Sequence, residues 1–222
     1  MTGWHDLGRE AEVDVCWNPD PLPAGAPHGP QGAQLILPVQ THSLNIASAD
    51  CGLAEFPDTD ALITQRRRIY VGVRTADCVP VLLYAPDIKA VAAVHAGWKG
   101  TLGKLPQLTA LRMRRMGASL AEMKAWIGPC VCGDCYEVDS ELAGRFIDAG
   151  FGRCVTVASP KPHLDLAQAC VYQLSEAGLE EVNITARSVC TRHSEVGGKF
   201  LCPSWRREPG TQRRLVSCIG LI

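Results

Sequence analysis

Residues 74–84 read Arg-Thr-Ala-Asp-Cys-Val-Pro-Val-Leu-Leu-Tyr, and residues 90–100 read Ala-Val-Ala-Ala-Val-His-Ala-Gly-Trp-Lys-Gly. Each stretch contains an apolar run typical of a β-strand, and the turn residues Pro and Asp at 86–87 lie between them. A hairpin formed by the two runs brings Cys78 and His95 close together. A thiol beside an imidazole is either a nucleophile with its base or a pair of ligands for a soft transition metal.

His42 adds a second imidazole. It follows the apolar run at residues 35–39, and a strand end is a place where a rigid element positions a functional group. Together with Cys78 and His95 it gives the ligand count of a catalytic metal site whose fourth position is open. Such a metal lowers the pKa of its bound water to about 7. These ligands suit Zn²⁺ or Cu²⁺, and the sequence does not choose between the two ions.

Composition is typical of a soluble globular enzyme. The chain has 222 residues, of which 46% are hydrophobic, enough to bury one large core. A net charge of −1 gives no field that attracts nucleic acid or an anionic membrane surface. There is no basic and apolar leader, and no apolar run long enough to span a bilayer. We therefore expect a cytoplasmic protein with a small-molecule substrate and with neither a nucleic-acid nor a membrane partner.

The order of the predicted elements favours an α+β fold. Runs typical of strands crowd residues 35–94, and later strands are predicted at 182–186 and 215–221. Helices are predicted at 102–116, 139–150 and 164–177. Because the strands come in blocks, we expect an α/β sandwich in which mixed sheets pack together with helices outside. Residues 1–34, rich in proline, are expected to form an irregular N-terminal arm ahead of a single domain at 35–222.

Eleven cysteines cannot all be paired within one chain, so we expect reduced thiols. Four with apolar neighbours are predicted to be inert and buried: Cys154, Cys170, Cys190 and Cys218. Cys130, Cys132 and Cys135 form a tighter cluster that superficially suggests a zinc knuckle. Since no second Cys or His pair of matching spacing is evident, we expect a glycine-rich turn near the active site instead.

Several motifs together resemble the laccase-domain family. They are Gln40-Thr-His42, Asp60-Ala-Leu-Ile-Thr64, Arg74-Thr-Ala-Asp-Cys78-Val-Pro-Val, Val94-His95-Ala-Gly-Trp-Lys-Gly100, Gly128-Pro-Cys130 and Cys135-Tyr-Glu-Val138. Members of that family have been called multicopper polyphenol oxidases and purine nucleoside phosphorylases with adenosine deaminase activity. The resemblance, strongest over residues 35–140, implies an α/β sandwich and a zinc or copper ion held by His42, Cys78 and His95.

Two departures from the family pattern are visible. The arginine, paired glycines and asparagine-rich turn that usually precede the first histidine have no clear counterpart in residues 1–34. Near the C-terminus, the usual Cys-Thr-Tyr-Cys becomes Cys190-Thr-Arg-His193. His193 either adds metal-binding capacity or is an exposed loop histidine, and we expect the latter.

Phosphorolysis of an N-glycosidic bond needs an anion site beside the ribose. The turn from Gly97 to Lys99, ahead of a predicted helix, offers backbone N–H groups and an ammonium group. Arg74 offers a bidentate phosphate contact. We therefore predict that Arg74, Gly97 and Lys99 bind substrate phosphate. Deamination also needs a group that orients the substrate or moves protons, and Asp77, next to Cys78, is the candidate.

Three function classes compete for these residues. The first is a purine nucleoside-processing metalloenzyme that cleaves adenosine or inosine with phosphate and deaminates adenosine, with Cys78, His95 and Asp77 as catalytic residues. The second is a copper-dependent, laccase-type polyphenol oxidase that uses dioxygen, although six histidines fall short of the His-X-His pairs of a trinuclear copper cluster. The third is an amide hydrolase of a cell-wall precursor, with Cys78 as nucleophile and His95 as base. His42 has no task in such a dyad, which favours the first class.

Overall fold

Two mixed β-sheets packed face to face, with helices outside, make up the computed structural model, which describes residues 5–10, 12–18, 28–157, 160–187 and 189–222. The strands are β1 (His5–Glu10), β2 (Val13–Asn18), β3 (Gln34–Ile36), β4 (Ile46–Ser48), β5 (Ala61–Thr64), β6 (Ile69–Thr75), β7 (Val79–Ala85), β8 (Ala90–Ala96), β9 (Lys124–Ile127), β10 (Val155–Thr156), β11 (His163–Leu164), β12 (Ile184–Ala186), β13 (Glu195–Val196), β14 (Lys199–Phe200) and β15 (Leu215–Leu221). The helices are α1 (Trp98–Leu102), α2 (Leu105–Arg115), α3 (Ser140–Phe146) and α4 (Leu166–Ala177). This architecture confirms the predicted single-domain α/β sandwich.

The predicted hairpin is present at the centre of the molecule. β7 pairs antiparallel with β8 inside a six-stranded sheet of order β12-β9-β7-β8-β5-β4. Side chains alternate between the two faces of these strands. Leu83 packs in the core that includes the inner faces of α2 and α4, whereas Leu82 packs in the core between the two sheets. Because both faces are covered, the hairpin is apolar at nearly every position, and burial of each leucine contributes about 2 kcal/mol.

The second sheet joins strands from both ends of the described chain. Its order is β1-β2-β15-β6-β3, and β15 runs antiparallel to both β2 and β6. The structure differs here from the expected irregular arm, because β1 and β2 are regular strands and the expected boundary at residue 35 falls inside β3. Val13 and Val15 are fully buried between the sheets. The prolines of the arm at Pro19, Pro21, Pro23 and Pro27 lie outside the described residues.

Three predicted helices are present close to their expected bounds. α2 begins at Leu105 with Pro106 in the first turn, where its missing N–H breaks no helical hydrogen bond. Asp139 caps α3, since its carboxylate accepts the backbone N–H of Leu142 at 2.7 Å. α4 is capped by Gly178, whose φ of 116° gives the left-handed conformation that ends a helix. None of the helices that the structure describes combines the length and the apolar character needed to cross a bilayer.

Candidate metal centre

Three side chains converge at the open end of the β7–β8 hairpin. Cys78 immediately precedes β7, His95 is the second-last residue of β8, and the register that sets Pro80 opposite His95 brings the two together. His42 reaches the same point from the loop between β3 and β4. Donor atoms of the three residues all lie within 4.8 Å of one another, and Cys78 Sγ is 3.8 Å from His42 Nε2. The fold thus brings together the three residues named as ligands.

Asp60, to which sequence reasoning gave no role, organises this site. Its side chain is fully buried, and a carboxylate oxygen lies 2.6 Å from Nδ1 of His95. The same carboxylate accepts the backbone N–H groups of Thr41, His42 and Ser43 at 3.1, 3.2 and 2.7 Å. Since Nδ1 of His95 is engaged by Asp60, Nε2 remains for a metal. The position of Asp60 directly before the buried strand β5 was the signal available in the sequence.

Electrostatics at this site favours the thiolate form of Cys78 and the carboxylate form of Asp60. Burial tends to raise the pKa of Cys78, but hydrogen bonds with His42 and His95 outweigh it and lower that pKa to about 6. Burial also opposes ionisation of Asp60, yet its hydrogen bonds with His95 and with backbone N–H groups lower its pKa to about 2. Burial lowers the pKa of His95, while the bonds with Asp60 and Cys78 raise it to about 9. Cys78 is therefore a thiolate at neutral pH, and a bound cation would displace a proton from His95.

The donor types and the local space both fit zinc or copper. One thiolate and two imidazoles are accepted by either ion, and three protein ligands leave a coordination position open. Gly97 contributes the space, because a Cβ there would lie 3.0 Å from Cys78 Sγ and 2.9 Å from His42 Cδ2. Gly97 thus lies against the ligands themselves.

A cavity of about 930 Å³ opens above the three ligands. Its volume is within the range of about 300–1,000 Å³ that is usual for small-molecule sites. The residues that line it include the aromatic residues Phe56, Trp98, Tyr136 and Trp205 and the arginines Arg74, Arg206 and Arg214. Aromatic faces suit a planar ring, and guanidinium groups suit an anion.

Of the two predicted cationic phosphate ligands, Arg74 lines the cavity and Lys99 does not. Arg74 is held in the wall by Gln40, whose side-chain amide accepts the backbone N–H of Arg74 at 2.7 Å and donates to its carbonyl at 2.8 Å. Lys99 is exposed, and its Nζ lies 5.6 Å from the ring centre of Trp98. Trp98, the residue before Lys99, lines the cavity instead of Lys99.

Asp77, named above as a proton-transfer candidate, is committed to holding two loops. It is buried and has a left-handed φ of 86°. Its carboxylate accepts Oγ1–H of Thr191 at 2.6 Å and the backbone N–H of Arg206 at 2.7 Å. Its carbonyl accepts the N–H of Val131 at 3.0 Å. These bonds favour a positioning role beside Cys78 over the predicted catalytic one.

The cysteine cluster has a second pair of donors that sequence reasoning did not find. Cys190 and His193 lie beside Cys132 and Cys135, and donor atoms of the four residues lie within 4.8 Å of one another. Cys130 packs instead in the hydrophobic core. The expectation that the cluster lacks a second Cys or His pair is therefore wrong, because the partner loop is remote in sequence but adjacent in the fold.

Known proteins similar to this chain share one family. A family model described as multi-copper polyphenol oxidoreductase laccase matches residues 24–222. A Deinococcus radiodurans protein named purine nucleoside phosphorylase is 35% identical over 182 residues, covering 82% of this chain and 68% of that relative. A protein named adenosine deaminase RL5, from an unknown prokaryotic organism, is 36% identical over 171 residues, covering 71% of this chain and 65% of that relative. The chain thus spans about two thirds of the length of these relatives.

Solved structures share the fold. The hypothetical protein YfiH of Bacillus licheniformis matches with a TM-score of 0.81 at 24% identity, over 95% of this chain and 93% of that one. The protein NMB0706 of Neisseria meningitidis matches with a TM-score of 0.81 at 24% identity, over 98% of both chains. The sandwich of mixed sheets and outer helices is common to all three proteins.

Proposed function

This chain belongs to the multi-copper polyphenol oxidoreductase laccase family, and we propose that it is a metal-dependent enzyme that acts on purine nucleosides. In this proposal it cleaves adenosine or inosine with phosphate and also deaminates adenosine. The observation that carries the proposal is the set of His42, Cys78 and His95 at a cavity whose walls bear both aromatic rings and arginines. Relatives named purine nucleoside phosphorylase and adenosine deaminase support the choice of substrate class.

The cavity wall supplies the contacts that a nucleoside and a phosphate need. The guanidinium of Arg206 lies 4.6 Å from the ring centre of Tyr136 and donates to the carbonyl of Glu137 at 2.8 Å. These contacts hold a cation beside an aromatic face. A purine stacked on an aromatic wall, with its ribose toward Arg74 and Arg206, is the binding mode that these contacts favour.

The proposed phosphorolysis uses the arginines to hold the nucleophile. A phosphate oxygen forms a bond to C1′ of the ribose while the bond from C1′ to the purine nitrogen breaks. The electron pair of that bond goes to the purine, which takes up a proton and leaves as the free base, and ribose 1-phosphate is the second product. Arg74 and Arg206 would hold the phosphate oxygens in line with C1′. Deamination is a separate reaction, in which a water oxygen replaces the C6 amino group and ammonia leaves.

The metal ligands are held in place by the rest of the chain. A zinc or copper ion bound by His42, Cys78 and His95 would supply a Lewis acid and lower the pKa of a coordinated water to about 7. Asp60 fixes the tautomer of His95 and the loop of His42. Gly97 keeps the space beside the ligands free. The chain therefore contributes a ligand set whose orientation does not depend on the ion.

A product assay on the purified full chain tests this function. Adenosine and inosine are incubated with and without inorganic phosphate, and the bases, ribose 1-phosphate, inosine and ammonia are quantified. We expect phosphate-dependent release of adenine and hypoxanthine, phosphate-independent formation of inosine, and loss of both in Cys78→Ala. Cys51→Ala is the matched control, because Cys51 is exposed and lies outside both donor groups. Full activity in Cys78→Ala, or no turnover of either nucleoside, would overturn the proposal.

The same samples discriminate the other two function classes. Phenol oxidation with dioxygen uptake and several coppers per chain would indicate the laccase-type oxidase, for which the second donor group offers a further copper site. Cleavage of an amide in a cell-wall precursor that persists after metal removal would indicate a hydrolase with Cys78 and His95 as a dyad. Neither outcome is expected, because six histidines fall short of the His-X-His pairs of a trinuclear copper cluster and His42 has no task in a Cys-His dyad.

A further inference from the structure

A second donor group lies outside the candidate metal centre. Cys132 precedes and Cys135 ends the 3-10 turn Gly133–Cys135 that follows β9, and Cys190 and His193 lie in the loop that follows β12. All four donor atoms lie within 4.8 Å of one another, and Cys135 Sγ is 3.2 Å from His193 Nδ1. Two loops that are remote in sequence therefore present four soft donors to one point.

We propose that Cys132, Cys135, Cys190 and His193 bind a structural zinc ion. The sequence pattern is C-x₂-C in one loop and C-x₂-H in the other. Three thiolates and one imidazole in this arrangement give a closed tetrahedral site, because four protein ligands leave no position for water or substrate. This distinguishes the site from that of His42, Cys78 and His95, whose three ligands leave one position open.

Backbone hydrogen bonds prepare the second site for an anionic sulfur. The N–H of Cys132 donates to Sγ of Cys190 at 3.4 Å. The loop is closed by Ser194, whose N–H donates to the carbonyl of Cys190 at 3.0 Å and whose Oγ accepts the Cys190 N–H at 2.9 Å. A backbone N–H that donates to this sulfur offsets part of the charge of a metal-bound thiolate.

The two loops are also aligned before any ion binds. The N–H of Cys130 donates to the carbonyl of Val189 at 3.3 Å, and the N–H of Thr191 donates to the carbonyl of Cys130 at 3.0 Å. Arg192 reaches across and donates to the carbonyl of Cys135 at 3.0 Å. Because these bonds already set the spacing of the loops, the four ligands converge at little entropic cost.

The proposed zinc ion would hold one wall of the substrate cavity. Thr191, between two of the ligands, donates to the carboxylate of Asp77, the residue before Cys78. Tyr136, the residue after Cys135, lines the cavity. Loss of the ion would remove one of the restraints on Tyr136 and Thr191 while leaving His42, Cys78 and His95 intact. The site is therefore structural, with an indirect effect on substrate binding.

Metal analysis of the full chain tests this proposal independently of any activity. Purified without added metal, the wild-type chain should contain about two zinc ions and Cys78→Ala about one. His193→Asn in the Cys78→Ala background should contain none, whereas His193→Cys should retain its zinc because it restores a fourth soft ligand. Cys51→Ser, which removes an exposed cysteine outside the cluster, should not change the zinc content.

Cobalt substitution and thiol titration complete the test without any substitution in the second site. Co²⁺ bound to the Cys78→Ala chain should show sulfur-to-metal charge transfer and the intense visible bands of a tetrahedral site. Thiol titration of unfolded protein should find all the remaining cysteines reduced. A Cys78→Ala chain without zinc and without these cobalt bands, or a disulfide among Cys132, Cys135 and Cys190 in the wild-type chain, would overturn the proposal.

Discussion

Nδ1 of His95 lies 2.6 Å from a carboxylate oxygen of Asp60, and both side chains are buried. The same carboxylate binds the backbone of residues 41–43 and so positions His42 as well. A single buried anion therefore orients two of the three proposed ligands. It also compensates the positive charge that a divalent ion would bring into the interior.

Replacement of Asp60 by Asn should weaken zinc binding at the candidate metal centre by about 10- to 100-fold, because an amide lacks the negative charge and satisfies fewer N–H donors. Competition with a chromogenic chelator measures this affinity, and the His193→Asn background removes the signal of the second site. Asp50→Asn is the matched control, since Asp50 accepts hydrogen bonds at the other end of β5. Unchanged affinity in Asp60→Asn would contradict the positioning role of Asp60.

Replacement of Gly97 by Ala should reduce zinc affinity without unfolding the protein. The backbone φ at Gly97 is −75°, which any residue adopts, so the effect comes from the added methyl group against Cys78 and His42. Overpacking of this kind costs about 1–3 kcal/mol, which corresponds to about a 5- to 150-fold loss of affinity. Gly144→Ala on α3 is the control, because an added Cβ there meets nothing within 4 Å. Equal affinity in both variants would show that the ligands tolerate a methyl group at residue 97.

Asp77 and Thr191 should act as one unit. Because Asp77 accepts the hydroxyl proton of Thr191, Asp77→Asn and Thr191→Val should each destabilise the fold, and the double variant should lose less than the sum, with a coupling of about 0.5–3 kcal/mol. Urea unfolding of the four proteins measures this coupling. The pH profile of nucleoside turnover should keep its shape in Asp77→Asn. If Asp77→Asn removed the acidic or the basic limb of that pH profile, the proton-transfer role predicted from the sequence would be favoured instead.

Arg74 and Lys99 should differ in their effect on phosphorolysis. Arg74→Ala should raise the KM for phosphate by about 10- to 100-fold, the loss expected for a charged hydrogen bond, and leave deamination nearly unchanged. Lys99→Ala should leave both reactions nearly unchanged, because Lys99 lies outside the cavity wall. Initial rates at varied phosphate concentration measure the difference. A larger effect of Lys99→Ala than of Arg74→Ala would instead support the phosphate-binding turn from Gly97 to Lys99 that the sequence predicts.

Local sequence was sufficient to predict the hairpin at the centre of the fold and the proximity of two of the proposed ligands. The turn between β7 and β8 is short, so their register follows from the apolar pattern and places Cys78 beside His95. The helices predicted at 139–150 and 164–177 follow from equally local signals, since capping at Asp139 and Gly178 depends on residues within one turn.

Contacts between distant parts of the chain account for what the sequence did not reveal. β2 is ordered by pairing with β15, which sets Val13 opposite Leu221 at the other end of the chain. The bond between Asp60 and His95 depends on the pairing of β5 with β8. The donor pair of Cys190 and His193 meets its partner pair only through the packing of two loops. In each case the periodicity of one segment carries no information about its partner.

The most direct test of the central claim is zinc titration of chelator-treated protein while adenine release from adenosine is followed in phosphate buffer. We predict that activity is absent without metal, rises as the site of His42, Cys78 and His95 fills, and stays absent in Cys78→Ala at every zinc concentration. Adenine release that is equal with and without metal, or that zinc restores in Cys78→Ala, would contradict it.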